Sequence, residues 1–359
     1  MAHLDSFLRV VVDQRASDLH LHAGKPPLVR LDGELVTLPF RTLSGSDARR
    51  FIDDILSDTQ RDQYARERQL DFIHEVEGLG RFRANVFYQN GGASAVFRVI
   101  PASPSTLTSL GMPRAVRSFS RLQNGLVLIC GATGSGKSTT LAAVIHEINS
   151  TSARHVITLE DPIEVVHPAD RSLVNQRQVG RDVDSFATGL RSALRESPDV
   201  LMVGELRDAD TVSLALQAAE TGVLVLGTLH TSSAPKAIDR MVDAVPEASR
   251  EQARASLSVL LRGVVAQQLC RRANGEGRVA ALEVLVHDHA VANMIRGNKI
   301  HLLEAHLQSA SQDRAGNESM DQCLWRYVRD GTITRDEALR SANVPERLAE
   351  RLQDLGTDD

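Results

Sequence analysis

Residues 131–138 read Gly-Ala-Thr-Gly-Ser-Gly-Lys-Ser and fit a phosphate-binding loop, in which two glycines separated by four residues precede Lys and Ser. Glycines let such a loop turn tightly and bring backbone N–H groups close to phosphate oxygens. Lys137 is expected to reach the β and γ phosphates of ATP, and Ser138 to hold Mg²⁺. The predicted nucleotide-binding residues are Gly131, Ala132, Thr133, Gly134, Ser135, Gly136, Lys137, Ser138 and Thr139.

Three carboxylates crowd into the segment Glu160-Asp161-Pro162-Ile163-Glu164, which follows another apolar run. Like charges this close repel one another at low effective dielectric, so a cation among them is the expected partner. We predict that Glu160 and Asp161 share Mg²⁺ with Ser138, partly through water. Glu160 and Glu164 are also candidates for catalysis.

An acid and an imidazole follow two further apolar runs. Glu205 comes after the run 200–203, and we assign it as the catalytic base that polarises the attacking water. His230 comes just after the run 224–228, where it can hydrogen-bond the γ-phosphate. A surface Glu and a structural His are the simpler interpretations, but the phosphate loop upstream favours the functional ones.

The candidate catalytic residues named so far lack a cationic side chain, other than Lys137, that could stabilise the transition state. Beyond Lys137, we find no cationic group at these strand ends, and hydrolases of this kind use an arginine donated in cis or in trans. The candidates are Arg81, Arg83 and Arg98, although a solvated charged strand face is the alternative interpretation. If a neighbouring subunit supplies the arginine, catalysis requires a ring.

The elements that must position these residues follow a parallel α/β pattern. Apolar runs at 126–130, 155–159, 200–203 and 224–228 predict buried strands, and residues 185–196 and 211–220 predict helices between them. A long helical pattern is predicted for 251–269. The remainder to residue 355 is expected to be helical, with one strand at 279–286.

The first hundred residues predict a separate α+β domain. We expect helices at 4–15 and 44–56, and strands at 19–21, 28–31, 35–36, 80–89 and 93–100, with a hairpin turn at 32–33. The Pro- and Ser-rich stretch 101–105 predicts a hinge. The domain prediction is 1–100 for the N-terminal domain, 101–111 for a linker and 112–359 for the ATPase domain.

Composition excludes several other classes of protein. With 41 basic and 46 acidic residues the net charge is −5, which gives no basic footprint for nucleic acid. No run approaches the roughly 20 apolar residues that span a bilayer, and the first residues lack the plan of a signal peptide, so we expect a cytoplasmic protein. The three cysteines form no pair at metal-binding spacing. His20 and His22 share one strand face but lack a third ligand.

Taken together, the motifs resemble the PilT family, the retraction ATPases of bacterial type IV pili within the secretion ATPase superfamily. The resemblance runs from about residue 3 to about residue 345. It rests on the segments 17–20 (Ser-Asp-Leu-His), 80–83 (Gly-Arg-Phe-Arg), 131–138, 160–164, 203–205 and 227–231.

The resemblance implies a PAS-like N-terminal domain and a RecA-like P-loop ATPase domain that binds ATP and Mg²⁺. It further implies a homo-hexameric ring that drives twitching motility, acts on an inner-membrane pilus platform protein and is peripheral at the inner membrane of a bacterium. Arginine fingers would match Arg83 and Arg98, with Arg81 as a further candidate.

Two departures from the family pattern leave a second interpretation open. Val223 stands where the family's His box usually begins with a His. The retraction signature Ala-Ile-Arg-Asn-Leu-Ile-Arg-Glu appears at 290–297 as Ala-Val-Ala-Asn-Met-Ile-Arg-Gly, so Ala292 replaces its first arginine and Gly297 its final glutamate. Gly297 would also weaken a helix by about 1 kcal/mol relative to Ala. The chain could then be an accessory paralogue, similar to PilU, that does not retract pili alone.

Other classes of function remain as alternatives to a motor. A nucleic-acid translocase could use the same core, but the acidic balance and the lack of an aromatic-plus-basic stripe oppose it. A small-molecule kinase would not need Glu205 poised for water, and a nucleotide switch could lose it. Release of free phosphate without an acceptor favours the motor.

Overall fold

A computed structural model of the chain describes residues 3–31, 33–100, 103–309 and 316–353. The chain divides into two compact units, Met1–Ser103 and Pro104–Asp359. Of the predicted hinge, Pro101 and Ala102 lie outside the described residues, as do Asp32 of the predicted hairpin turn and the last six residues. Leu107, within the range predicted as linker, is buried in the second unit's core.

The first unit is an antiparallel sheet packed against three helices, all of which contribute to one apolar core. Strand alternation produces this core: Phe82, Ala84 and Val86 point inward, while the residues between them are partly exposed. The strand order is β3-β2-β1-β6-β5-β4. The elements are α1 (His3–Asp13), β1 (Asp18–His22), β2 (Leu28–Leu31), β3 (Glu34–Thr37), α2 (Gly45–Asp53), α3 (Asp58–Glu67), β4 (Gln69–Val76), β5 (Gly80–Gln89) and β6 (Gly92–Ile100).

The second unit is built on a seven-stranded sheet in the order β13-β12-β7-β11-β10-β8-β9. Its elements are α4 (Arg114–Ser118), β7 (Gly125–Cys130), α5 (Lys137–Thr151), β8 (His155–Glu160), β9 (Leu173–Gln178), α6 (Phe186–Ala193), β10 (Val200–Val203), α7 (Ala209–Glu220), β11 (Leu224–Leu229), α8 (Ala234–Ala244), α9 (Arg250–Leu260), β12 (Leu261–Arg271), β13 (Arg278–Val286), α10 (His289–Arg296), α11 (Leu302–Ser309), α12 (Met320–Arg329), α13 (Arg335–Ser341) and α14 (Pro345–Gln353).

The central strands are buried on both faces, as the continuous apolar runs predicted. In β7, Leu126, Leu128 and Cys130 face one core, whereas Val127 and Ile129 face another on the opposite side of the sheet. Six of the seven strands pair in parallel, and β13 is antiparallel at one edge. The prediction of an α/β fold with a separate α+β domain is confirmed.

The predicted long helix over 251–269 is wrong. The helix α9 ends at Leu260, and Leu261–Arg271 continues as strand β12, paired in parallel with β7. Helical spacing of apolar residues is not diagnostic here, because a strand buried on both faces is apolar at every position. Gly263 suits the strand, since a Cβ there would lie 2.3 Å from the Phe119 ring.

Five elements were missed, namely α3, α4, α8, β4 and β9, and one predicted weakness does not arise. The helix α3 and the strands β4 and β9 carry too many polar residues for their periodicity to stand out. Gly297 is the C-cap of α10 rather than an interior position, so the expected cost of a helical glycine does not apply.

Candidate functional site

The phosphate loop lies between the buried strand β7 and the helix α5. Gly131, Gly134 and Gly136 have φ angles of 148°, 78° and 90°, which other residues rarely adopt. The loop ends at the N-terminus of α5, a 15-residue helix whose first turn offers unpaired N–H groups and partial positive charge. The backbone therefore forms an anion-binding site.

Lys137 is the first residue of α5, and only 9% of it is exposed. Its Nζ donates hydrogen bonds to the carbonyl oxygens of Gly131 (2.8 Å) and Ala132 (3.0 Å) in the same loop. Burial lowers the pKa of Lys137, and the opposite charge of Glu205 partly offsets that effect. The ammonium group lies against the loop, where a phosphate oxygen can replace a carbonyl as its partner.

One cavity brings together side chains that the sequence places at separate strand ends. The strands β8, β10 and β11 are neighbours in the sheet, so their carboxyl ends meet at one edge. The acidic and hydroxyl groups that line this catalytic cavity are those of Ser138, Glu160, Asp161, Glu164, Glu205 and Thr228.

Glu160 is held in the catalytic cavity by neighbours on two strands. Its Oε1 accepts hydrogen bonds from Thr158 Oγ1 (2.6 Å) and Gln176 Nε2 (3.0 Å). Gln176 also donates to the Val165 carbonyl (2.8 Å) and accepts from the His167 backbone N–H (2.9 Å). Burial raises the pKa of Glu160, although both hydrogen bonds oppose that shift. A polar side chain on the edge strand β9 thus fixes the acidic segment.

Glu205 contacts two basic groups of its own chain. The Arg207 Nε lies 2.6 Å from Glu205 Oε2, and the His230 Nε2 lies 3.4 Å from Oε1. Arg207 lines the catalytic cavity, and 65% of its side chain is exposed. The expectation of no cation beyond Lys137 at the strand ends is therefore wrong. Arg207 stands two residues after Glu205, and that spacing was the available signal.

A second cavity adjoins the phosphate loop. Gly136, Thr139 and Thr140 contribute to its wall from the loop and α5. Arg272, which follows β12, and Arg278 of β13 contribute from the sheet side. Because this cavity adjoins the phosphate loop, it can take the nucleoside part of a nucleotide. Gln267 also lines it and was missed, since its segment was predicted as helix.

The candidate arginine fingers belong to the first unit. Arg98 Nε donates to Asp18 Oδ1 at 2.9 Å, while Arg83 and Arg81 lie 3.9 Å and 3.7 Å from carboxylates of β4. Burial by itself would raise the pKa of Asp18. Hydrogen bonds from Ser17 and Arg98 outweigh burial and lower the pKa of Asp18 below its ordinary value. Arg83 and Arg98 are directly opposite in the β5–β6 pairing, so they share one face. Their role as fingers stays a prediction.

Two further features of the described residues bear on ligands and membranes. The rings of His20 and His22 stack at 5.9 Å, and no group of three metal-binding side chains occurs anywhere in the described ranges. Among the helices that the structure describes, none is both long and apolar enough to cross a bilayer.

The fold and the site define a class: a P-loop ATPase with an α+β N-terminal unit. A comparison with family models identifies the family within this class: the model of the Type II/IV secretion system protein family matches residues 2–325. The chain belongs to this family.

Named relatives agree with the resemblance predicted from the motifs. The type IV pilus retraction ATPase PilT of Pseudomonas aeruginosa is 46% identical over 335 residues, covering 93% of this chain and 96% of that protein. PilU, a type IV pilus ATPase of the same organism, is 36% identical over 339 residues, covering 94% and 88%. A crystal structure of the pilus retraction motor PilT with bound ADP superposes with a TM-score of 0.89 at 42% identity, covering 98% and 99%.

Proposed function

We propose that the protein hydrolyses ATP between its phosphate loop and Glu205 and uses the reaction to drive retraction of a type IV pilus. The observation that carries the proposal is the catalytic cavity, which joins Ser138 of the loop to four carboxylates and Arg207. The similarity to the PilT retraction ATPase over nearly the full chain supports the mechanical output.

Different residues of the site bind the phosphates, polarise the attacking water and position the catalytic carboxylate. The loop backbone and Lys137 bind the phosphates, and Glu205 orients and polarises the attacking water. Arg207 and His230 contact Glu205 on both of its oxygens and so fix the direction in which its carboxylate points. Water held by a correctly oriented carboxylate attacks the γ-phosphorus, and the bond to the leaving ADP oxygen breaks.

Magnesium fits the oxygen-rich lining of the catalytic cavity. Ser138, Glu160 and Asp161 would hold it, directly or through water, and it would neutralise charge on the phosphates. No group of three metal-binding side chains occurs among the described residues. Mg²⁺ characteristically binds through few carboxylates, several waters and substrate phosphates.

The assembly follows from the need for further cationic charge. We propose a homo-hexamer in which Arg83 or Arg98 of one subunit, with Arg81 as a third candidate, serves the nucleotide of a neighbour. The ring would act on a platform protein at the inner membrane from the cytoplasmic side.

A second candidate function, that of an accessory pilus ATPase, is favoured by α10. This helix carries the altered retraction signature, with Ala292 in place of an arginine and Gly297 at its C-cap in place of a glutamate. PilU is also a relative. Deleting the gene separates the two: loss of twitching and an excess of surface pili indicates the retraction motor, and unaltered twitching indicates the accessory role.

The hydrolysis step is tested with Lys137→Ala. We expect phosphate release to fall to background. The melting temperature should change little, because Lys137 is the first residue of α5 and its two hydrogen bonds are to carbonyls of its own loop. Lys299→Ala removes an exposed lysine far along the chain and is the matched control. Undiminished turnover in Lys137→Ala would refute the assignment of the loop.

A further inference from the structure

Gln267 of β12 uses both ends of its side-chain amide, one to contact the phosphate loop and the other to contact the first turn of α5. Its Nε2 donates a 2.8 Å hydrogen bond to the Ser135 carbonyl, and its Oε1 accepts a 2.8 Å bond from Thr140 Oγ1. The carbonyl of Ser135 can only accept, so the amide nitrogen must face it. Gln267 and Thr140 are 4% and 1% exposed, so both bonds are shielded from water.

The fit between Gln267 and the loop is close enough to restrict the sequence there. A Cβ added to Gly131 would lie 2.3 Å from the Gln267 carbonyl oxygen, and one added to Gly136 would lie 2.7 Å from Gln267 Nε2. Both glycines also have positive φ angles. The two glycines therefore provide the space that Gln267 fills, in addition to the backbone freedom the loop needs.

Strand pairing explains why Gln267 reaches this place. β12 runs parallel to β7, and Ala266 is the register partner of Cys130, the last residue of β7. Gln267 therefore stands beside Gly131, where the loop begins. Gln268 points to the other side of the sheet and donates to the Ser341 carbonyl instead.

We propose that Gln267 is a positioning residue for the phosphate loop. By engaging the Ser135 carbonyl, it keeps that oxygen directed at β12 and away from bound phosphate, which a carbonyl oxygen would repel. Gln267 also lines the second cavity, so a contact to the nucleoside is the competing role. The inference rests on the proposed nucleotide-binding function and assigns Gln267 to the phosphate half of the site.

The test is Gln267→Met, which keeps the length of the side chain and removes both hydrogen bonds. Calorimetry in the presence of Mg²⁺ measures the affinity of the full chain for ATP, tripolyphosphate and adenosine. We expect ATP and tripolyphosphate to bind about tenfold more weakly, mainly because the Ser135 carbonyl loses the buried hydrogen bond that directs it away from phosphate. Adenosine affinity should stay at the wild-type value, since the proposal gives Gln267 no bond to the nucleoside.

Two matched variants complete the experiment. Gln268→Met makes the same chemical change one residue along, on the opposite side of the sheet, and should leave all three affinities unchanged. Thr140→Val removes only the bond to Oε1 and should weaken ATP and tripolyphosphate by about threefold. If Gln267→Met fails to fold, Thr140→Val must still show the loss for both phosphate ligands with adenosine retained.

The outcomes separate the roles. One outcome is that Gln267→Met binds tripolyphosphate as the wild type does but loses affinity for ATP and adenosine. That result overturns the proposal in favour of a nucleoside contact. Equal loss of all three ligands with a lower melting temperature overturns it in favour of a general scaffold role. A wild-type protein that binds neither ATP nor tripolyphosphate would instead refute the proposed function.

Discussion

Replacing Gln176 with Met tests whether the acidic segment depends on the edge strand β9. The Gln176 amide makes three hydrogen bonds, to Glu160 Oε1, to the Val165 carbonyl and from the His167 backbone N–H. Methionine has similar length and packs well, but it can replace none of these bonds. The variant therefore removes the polar link and leaves the volume nearly unchanged.

The expected size of the effect follows from the number of bonds. Each buried hydrogen bond contributes about 1 kcal/mol net, so the loss is roughly 3 kcal/mol in the free energy of unfolding. For a unit of this size, that corresponds to a melting temperature lowered on the order of 10 °C. Because the hydrogen bond from Gln176 opposes the burial-driven rise in the pKa of Glu160, its loss should raise that pKa further.

The functional consequence is measured as phosphate release across pH. We expect the maximal turnover of Gln176→Met to fall at least about tenfold at neutral pH, with the acid limb of the profile moved to higher pH. The matched control is Asn175→Leu, which loses one 2.9 Å hydrogen bond to His155 on the other face of β9. It should lower the melting temperature slightly and leave turnover unchanged. Turnover of Gln176→Met within twofold of wild type would refute the reasoning, even if stability falls.

Three further predictions concern charge. Glu205→Gln should lower turnover by about 10²- to 10⁴-fold while ATP still binds, because a neutral amide cannot polarise the water. Phosphate release measures the turnover and calorimetry measures the binding. Near-normal turnover would contradict the role of Glu205. Arg83→Ala or Arg98→Ala should reduce turnover far more than ATP affinity in the assembled protein, and normal turnover in both would exclude finger roles. Burial lowers the pKa of His167 to about 4, so the folded state favours its neutral form and loses stability as pH falls from about 6.5 toward 4. Denaturation experiments at several pH values should show that the unfolding free energy of His167→Gln depends less on pH over that range than that of the wild type. An equal pH dependence in both proteins would contradict the shift.

Much of the ATPase unit could be predicted because its signals are local. The phosphate loop needs glycines at fixed spacing between an apolar run and a helix, and all of these are adjacent in the sequence. The strand ends that carry Glu160, Glu205 and His230 were found for the same reason: a short apolar run followed by a polar group marks the edge where parallel strands end.

The parts that could not be predicted depend on strand pairing. Gln176 acts from β9, a strand with five polar or partly exposed positions that has no clear alternation. Gln267 acts from β12, where the apolar run satisfied a helical spacing as well as it satisfied a buried strand. In both cases, only the pairing with the neighbouring strand determines which residue reaches Glu160 or the phosphate loop. Arg207 was missed for a different reason, since an apolar run marks only the first polar group that follows it, and Arg207 comes two residues after that group, Glu205.

The discovery of Arg207 does not remove the need for cations from elsewhere. Four carboxyl groups line the catalytic cavity with Arg207, and the closest of its contacts is to one of them, Glu205 at 2.6 Å. Its charge is therefore largely compensated before any nucleotide binds, and the lining as a whole remains acidic. A triphosphate adds further negative charge, which such a cavity would repel unless Mg²⁺ and an additional guanidinium accompany it. The geometry thus favours a site that a neighbouring subunit completes, and the arginines of the first unit remain the candidates to do so.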